Sequence, residues 1–89
     1  MSESYLEVTY VRGRALAAYF YLPRRKRDKS VRARRAAPGL VIDVATDGRA
    51  IGIEITASSR LTVTAFNRVL RDLGFAPVPR ADLAPLRAG

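Results

Sequence analysis

The sequence contains no cysteine, no histidine and no tryptophan. Without cysteine there is neither a disulfide nor a thiolate metal site. Without histidine, the commonest general base, the imidazole metal ligands and every histidine-dependent triad are excluded. Long apolar runs are missing too. The longest, residues 15–22, falls far short of the ~20 residues that span a membrane. The opening MSESYLEV has neither a basic nor an apolar section, so it does not read as a signal peptide, and the expectation is a cytoplasmic protein. No Gly-rich phosphate loop and no nucleophile beside a base is present, so no cofactor is expected and the reading is non-enzymatic.

What is present fits one domain, residues 1–89, with one modest core. The net charge is +8, and it is concentrated. Residues 24–35 hold eight cations and one acid, Asp28, leaving the rest of the chain close to neutral. A cationic insert on a neutral body favours an anionic partner for the insert.

Apolar alternation predicts strands over about 5–11 and 15–22, joined by a turn at residues 12–14. An odd-length loop places Leu6, Val8 and Tyr10 beside Leu16, Ala18, Phe20 and Leu22. A two-residue loop pairs the first strand with Ala15, Ala17, Tyr19 and Tyr21 instead. The first register is preferred as the more apolar, although loop parity alone does not decide it. Pro23 ends the second strand, and residues 23–38, closed by Pro38, read as a flexible basic loop.

Asp47-Gly48 between two apolar runs predicts a second hairpin, over about 39–45 and 50–56. Its register pairs Val44 with Ile51, Ile42 with Ile53 and Leu40 with Ile55 on one face. Asp43 then lies against Gly52, and Val41 against Glu54, on the other. Keeping that set together predicts an even-numbered loop. After a connector at 57–60, residues 62–73 read as a helix with Thr62 as N-cap and Gly74 as C-cap. Phe66, Val69, Leu70 and Leu73 form its buried stripe, with Asn67, Arg68, Arg71 and Asp72 outside. The tail, 75–89, is Pro-spaced, with a brief helical turn at 80–84 and Phe75, Val78, Leu83 and Leu86 set along the body. The fold class is α+β: a four-stranded antiparallel sheet from two hairpins with one C-terminal helix on one face.

The residues VTY at 8–10, ALAAYFYLP at 15–23, PGLVIDVATDGRAIGIEIT at 38–56 and LTVTAFNRVLRDLGF at 61–75 carry a resemblance. The chain resembles a family of short bacterial domains catalogued as domain of unknown function 2283. The resemblance implies a small β-rich fold that often self-associates, with no established catalytic residues. It also implies, for some members, a likeness to antitoxins paired with a small ribonuclease-like toxin. Relatives are often acidic before the glycine of the PGLVID run, whereas this chain is basic there.

Three surfaces are candidates. Arg24, Arg25, Lys26, Arg27, Lys29, Arg32, Arg34 and Arg35 suit contact with nucleic acid through the phosphate backbone. The segment carries no aromatics for stacking and no recognition-helix periodicity. An acidic protein partner, with no nucleic-acid role, and a merely solvated loop stand beside that reading. Tyr5, Tyr19, Tyr21 and Val41, on the uncovered sheet face, suit a homodimer contact; an ordinary half-exposed face, cover by the tail and base stacking are the alternatives. Asp43 and Glu54 are diagonal carboxylates across the second hairpin, for which pairing with Arg49, Arg60 or the basic loop outweighs catalysis. No metal site and no membrane contact are expected.

Overall fold

A computed structural model describes residues 4–56 and 61–87. The described residues form β1 (Tyr5–Val11), β2 (Arg14–Tyr21), β3 (Arg32–Ala37), β4 (Leu40–Val44), β5 (Ala50–Ile55), α1 (Val63–Asp72) and a 3-10 helix, Arg80–Arg87. The α+β class holds, but the sheet has five strands in the order β1-β2-β5-β4-β3, all antiparallel. The additional strand, β3, lies inside the stretch expected to be a loop. Its sequence, RARRAA, has no apolar alternation; β4 pairs with it through the backbone while most of its side chains stay exposed.

Both hairpins hold most of the expected core pairs, and both reach them through a bulge, which takes Leu16 out of the core set and breaks the expected pairing of Val44 with Ile51. In the first, Leu6 faces Phe20 and Val8 faces Ala18. The turn is only two residues, Arg12-Gly13, both at positive φ (52° and 80°), which suits the right-handed twist of the strands. The pairing shifts between Thr9 and Tyr10, because Thr9 faces Ala17 while Tyr10 faces Ala15. Leu16 is therefore the extra residue, and it is exposed instead of joining the core as its parity suggested.

The second hairpin pairs Leu40 with Ile55, Ile42 with Ile53, Val41 with Glu54 and Asp43 with Gly52, as expected. The even-numbered loop is not found. Five residues, 45–49, separate the strands, and Val44 faces Ala50, so Ile51 is the extra residue. The Gly48 N–H donates to the Ala45 carbonyl and the Ala45 N–H to the Arg49 carbonyl, both at 2.9 Å, with Gly48 at φ 91°. A tight turn followed by a left-handed glycine is a common odd-numbered hairpin end, and the bulge at Ile51 cancels its parity.

α1 begins at Thr62, whose hydroxyl accepts from the Ala65 N–H at 3.1 Å. It ends with Gly74 at φ 86°, while the Phe75 N–H donates to the Leu70 carbonyl and the Gly74 N–H to that of Arg71. These are the two bonds of a Schellman cap. Phe66, Val69 and Leu70 pack on Phe20, Leu22, Leu40, Ile42, Ile53 and Ile55 in one core.

Asn67, expected outside, is buried. Its side-chain amide donates to the Val78 carbonyl at 3.0 Å, and its carbonyl accepts from the Val78 N–H at 2.8 Å. That pair of bonds ties the tail to the helix. The 3-10 helix beyond it, longer than the expected turn, buries Leu83 and Leu86 in the same core and touches β1 and β2. The tail therefore extends the covered face and leaves the tyrosine face open. Replacing Asn67 with Ala removes both bonds and should cost roughly 1–2 kcal/mol. Urea denaturation of the variant measures this, and an unchanged midpoint would show that the clamp is idle.

Candidate functional site

The open face follows from strand alternation. Across the sheet one row reads Glu7, Tyr19, Glu54, Val41 and Arg35; the next reads Tyr5, Tyr21, Gly52, Asp43 and Ala33. Tyr5, Tyr19, Tyr21 and Val41 thus do share this face. The tyrosines also contact one another. Tyr5 and Tyr21 are stacked with ring centroids 4.4 Å apart, and Tyr19 meets Tyr21 edge-on at 4.7 Å. The Tyr19 ring lies across Gly52, where any Cβ would collide with it. A strand-interior glycine costs packing and entropy, and here it makes room for an aromatic side chain from the neighbouring strand.

The Tyr19 hydroxyl donates to the Asp43 carboxylate at 2.7 Å. Burial, reinforced by that bond, pushes the Tyr19 hydroxyl up from the usual 10.0 to about 12. The folded state therefore holds this proton more tightly than the unfolded chain. The contribution is fully present below about pH 10 and is lost as pH rises through about 12. Asp43 and Glu54 are diagonal neighbours as expected. Asp43 is engaged by Tyr19, and Glu54 is exposed. Arg49, a candidate partner for them, instead pairs with Asp28 at 2.6 Å and Asp47 at 2.7 Å. Arg60 lies outside the described residues.

The basic segment leaves this face through Arg24. Its guanidinium donates to the Ile51 carbonyl at 2.6 Å and to the Tyr19 hydroxyl at 3.4 Å, and it lies 5.2 Å from the Tyr21 ring centroid. The bulge that exposes the Ile51 carbonyl also lets it accept from the Leu22 N–H. Arg24 is a half-buried fastener of the segment to the sheet. A turn follows, with the Arg25 N–H donating to the Asp28 carboxylate at 2.7 Å and the Asp28 N–H to the Arg25 carbonyl at 3.1 Å. The Arg49 hydrogen bond holds the Asp28 carboxyl below its ordinary range. The Val31 N–H then donates to the Val44 carbonyl at 2.9 Å and leads into β3.

The remaining seven cations, Arg25, Lys26, Arg27, Lys29, Arg32, Arg34 and Arg35, are exposed. Both ion pairs found among the described residues belong to Arg49, so none of the seven takes part in one. Pairing of Arg32 with Val44 and Arg34 with Ile42 sets these two on the helix side of the sheet; Arg35, opposite Val41, lies on the tyrosine side. These three straddle the edge, and with Arg25, Lys26, Arg27 and Lys29 on the segment that leads into β3 they make up one cationic ridge along the chain. The fastening by Arg24 and the Tyr19–Gly52 packing were missed from sequence. The available signal was a glycine inside a strand facing an aromatic-rich neighbour.

Among the described residues no cluster of three or more carboxylates could hold a metal ion, and no helix is long and apolar enough to cross a membrane. Comparison with curated proteins and with solved structures finds no match. Residues 17–59, from β2 past the end of β5, match the model of a family described as a protein of unknown function (DUF2283), and over this stretch, just under half of the chain, the protein is similar to that family.

Proposed function

We propose that the protein is a non-enzymatic accessory or regulatory factor, antitoxin-like in its role, that holds nucleic acid through the phosphate backbone. The carrying observation is the ridge itself: seven exposed cations, none in an ion pair with a carboxylate among the described residues, along a segment fastened at Arg24, Asp28 and Val31. Neutralising phosphates releases condensed counterions, so binding of this kind is strong at low salt and falls steeply as salt rises.

Titration of duplex DNA across a salt series tests the reading. If all seven cations engage phosphates, log affinity against log salt should slope by up to about −6. Replacing Arg32, Arg34 and Arg35 with Ser should make that slope shallower by roughly 2–3. Arg24 is left in place because it fastens the segment to the sheet. No binding at low salt, or binding indifferent to the triple substitution, would sink the reading. A second reading, an acidic protein partner, is favoured by one observation: β3 is a sheet edge whose outer backbone is open to an extended segment. Indifference to DNA with affinity for an acidic protein would select it.

A further inference from the structure

The two edges of the sheet differ in chemistry. β3 carries Arg32, Arg34 and Arg35, a charge density that repels a second copy of itself. β1, YLEVTYV, carries one charge, Glu7, and no proline. Its seven residues run without an inserted residue, because the bulge of the first hairpin sits on β2 at Leu16. Five large apolar or aromatic side chains are exposed among the described residues, and four gather on this hairpin: Tyr5 (43%), Tyr10 (45%), Val11 (49%) and Leu16 (61%). A long, mostly apolar edge with a single charge is a template for strand pairing.

From these observations we infer that the β1 edge is the surface on which a second copy of this chain docks, strand against strand. The sequence of β1 is self-complementary in one antiparallel register. With the two-fold axis at Val8, Glu7 faces Thr9 of the second copy, Leu6 faces its Tyr10, and Tyr5 faces its Val11. A register centred on Glu7 sets two carboxylates directly opposite each other, which is destabilising. Centring on Val8 avoids this and leaves every other pair apolar or aromatic. The arginines of β3 block the far edge, so association stops at two copies instead of growing into a fibre. The product is one continuous ten-stranded sheet, with both tyrosine faces on one side. This surface is distinct from the phosphate-contacting ridge, and either can fail without the other.

Thr9 supplies the test. It is exposed, and its neighbour within the chain is Ala17, so a charge there meets no other charge across its own hairpin. Sedimentation equilibrium from about 1 μM to 1 mM should show a concentration-dependent dimer. Thr9→Lys should tighten it and Thr9→Glu should weaken it, each by roughly 2- to 30-fold, because the symmetry counts each cross-strand charge pair twice. Circular dichroism of both variants should match the parent. Val8→Cys, the only cysteine in such a chain, should close a disulfide across the axis under mild oxidation, while Glu7→Cys should not. A monomer throughout the range overturns the inference. So does a dimer indifferent to both Thr9 changes, or one broken by Val41→Arg on the open face.

Discussion

Replacing Phe66 with Ala is expected to cost roughly 3–5 kcal/mol, the range for truncating a fully buried aromatic ring. Phe66 is fully buried at the point where α1 meets the sheet, and it packs edge-to-face on Phe20 with centroids 5.1 Å apart. The ring touches the core from above, with a helix on one side and strands on the other, so neither can collapse far into the space left behind. Domains of about this size have roughly 4–13 kcal/mol to lose. Thermal and urea unfolding followed by circular dichroism should show a melting temperature lower by at least roughly 12 °C, or no folded baseline at all. Leu16→Ala, equally apolar but exposed on the bulge, should change stability by less than about 0.5 kcal/mol. If the two substitutions cost the same, the assignment of the core is wrong.

Gly52→Val should be nearly as damaging, for the opposite reason. Valine favours strands, and position 52 lies mid-strand, so propensity alone predicts a gain. The Tyr19 ring already occupies the space, however. It must swing aside, breaking its bond to Asp43 and its edge contact with Tyr21. Overpacking and the lost hydrogen bond together should cost roughly 2–4 kcal/mol. A double-mutant cycle isolates the cause. In a Tyr19→Ala background the obstruction is gone, and Gly52→Val should become neutral or stabilising. A cost that persists in that background would place the requirement for glycine in the backbone and not under the ring.

These two positions mark how far the residues alone could be read. Phe66 was legible, because a helical stripe bounded by Thr62 and Gly74 is a local pattern with a single solution. The core pairs Leu40–Ile55 and Ile42–Ile53 were legible for the same reason, since alternation sets these four on one face in a single register, whereas the bulge that gives Val44 Ala50 in place of Ile51 has no signature in the alternation. Gly52 was legible as part of a motif but not as a cause, because the ring it accommodates arrives from a strand more than 30 positions earlier. β3 was hidden: a run of arginines with no alternation looks like a solvated loop, and only the exposed backbone of β4 recruits it. Asn67 was misread because its polarity pointed outward, while its partner, the backbone at Val78, has no side-chain signature. For the ridge, the charge could be counted from the sequence. Which cation fastens the segment, and on which side of the edge the others stand, required the strand register.

The paired bulges at Leu16 and Ile51 carry a consequence for how such a chain changes over generations. In a hairpin without a bulge, gaining or losing one residue in the turn rotates a whole strand and turns its core side out. Here each hairpin already contains one surplus residue between the turn and the core pairs. A one-residue insertion or deletion in either turn is absorbed by gaining or removing that surplus, and Leu6–Phe20 and Ile42–Ile53 stay where they are. Turn length is thereby free to drift while the core stays fixed.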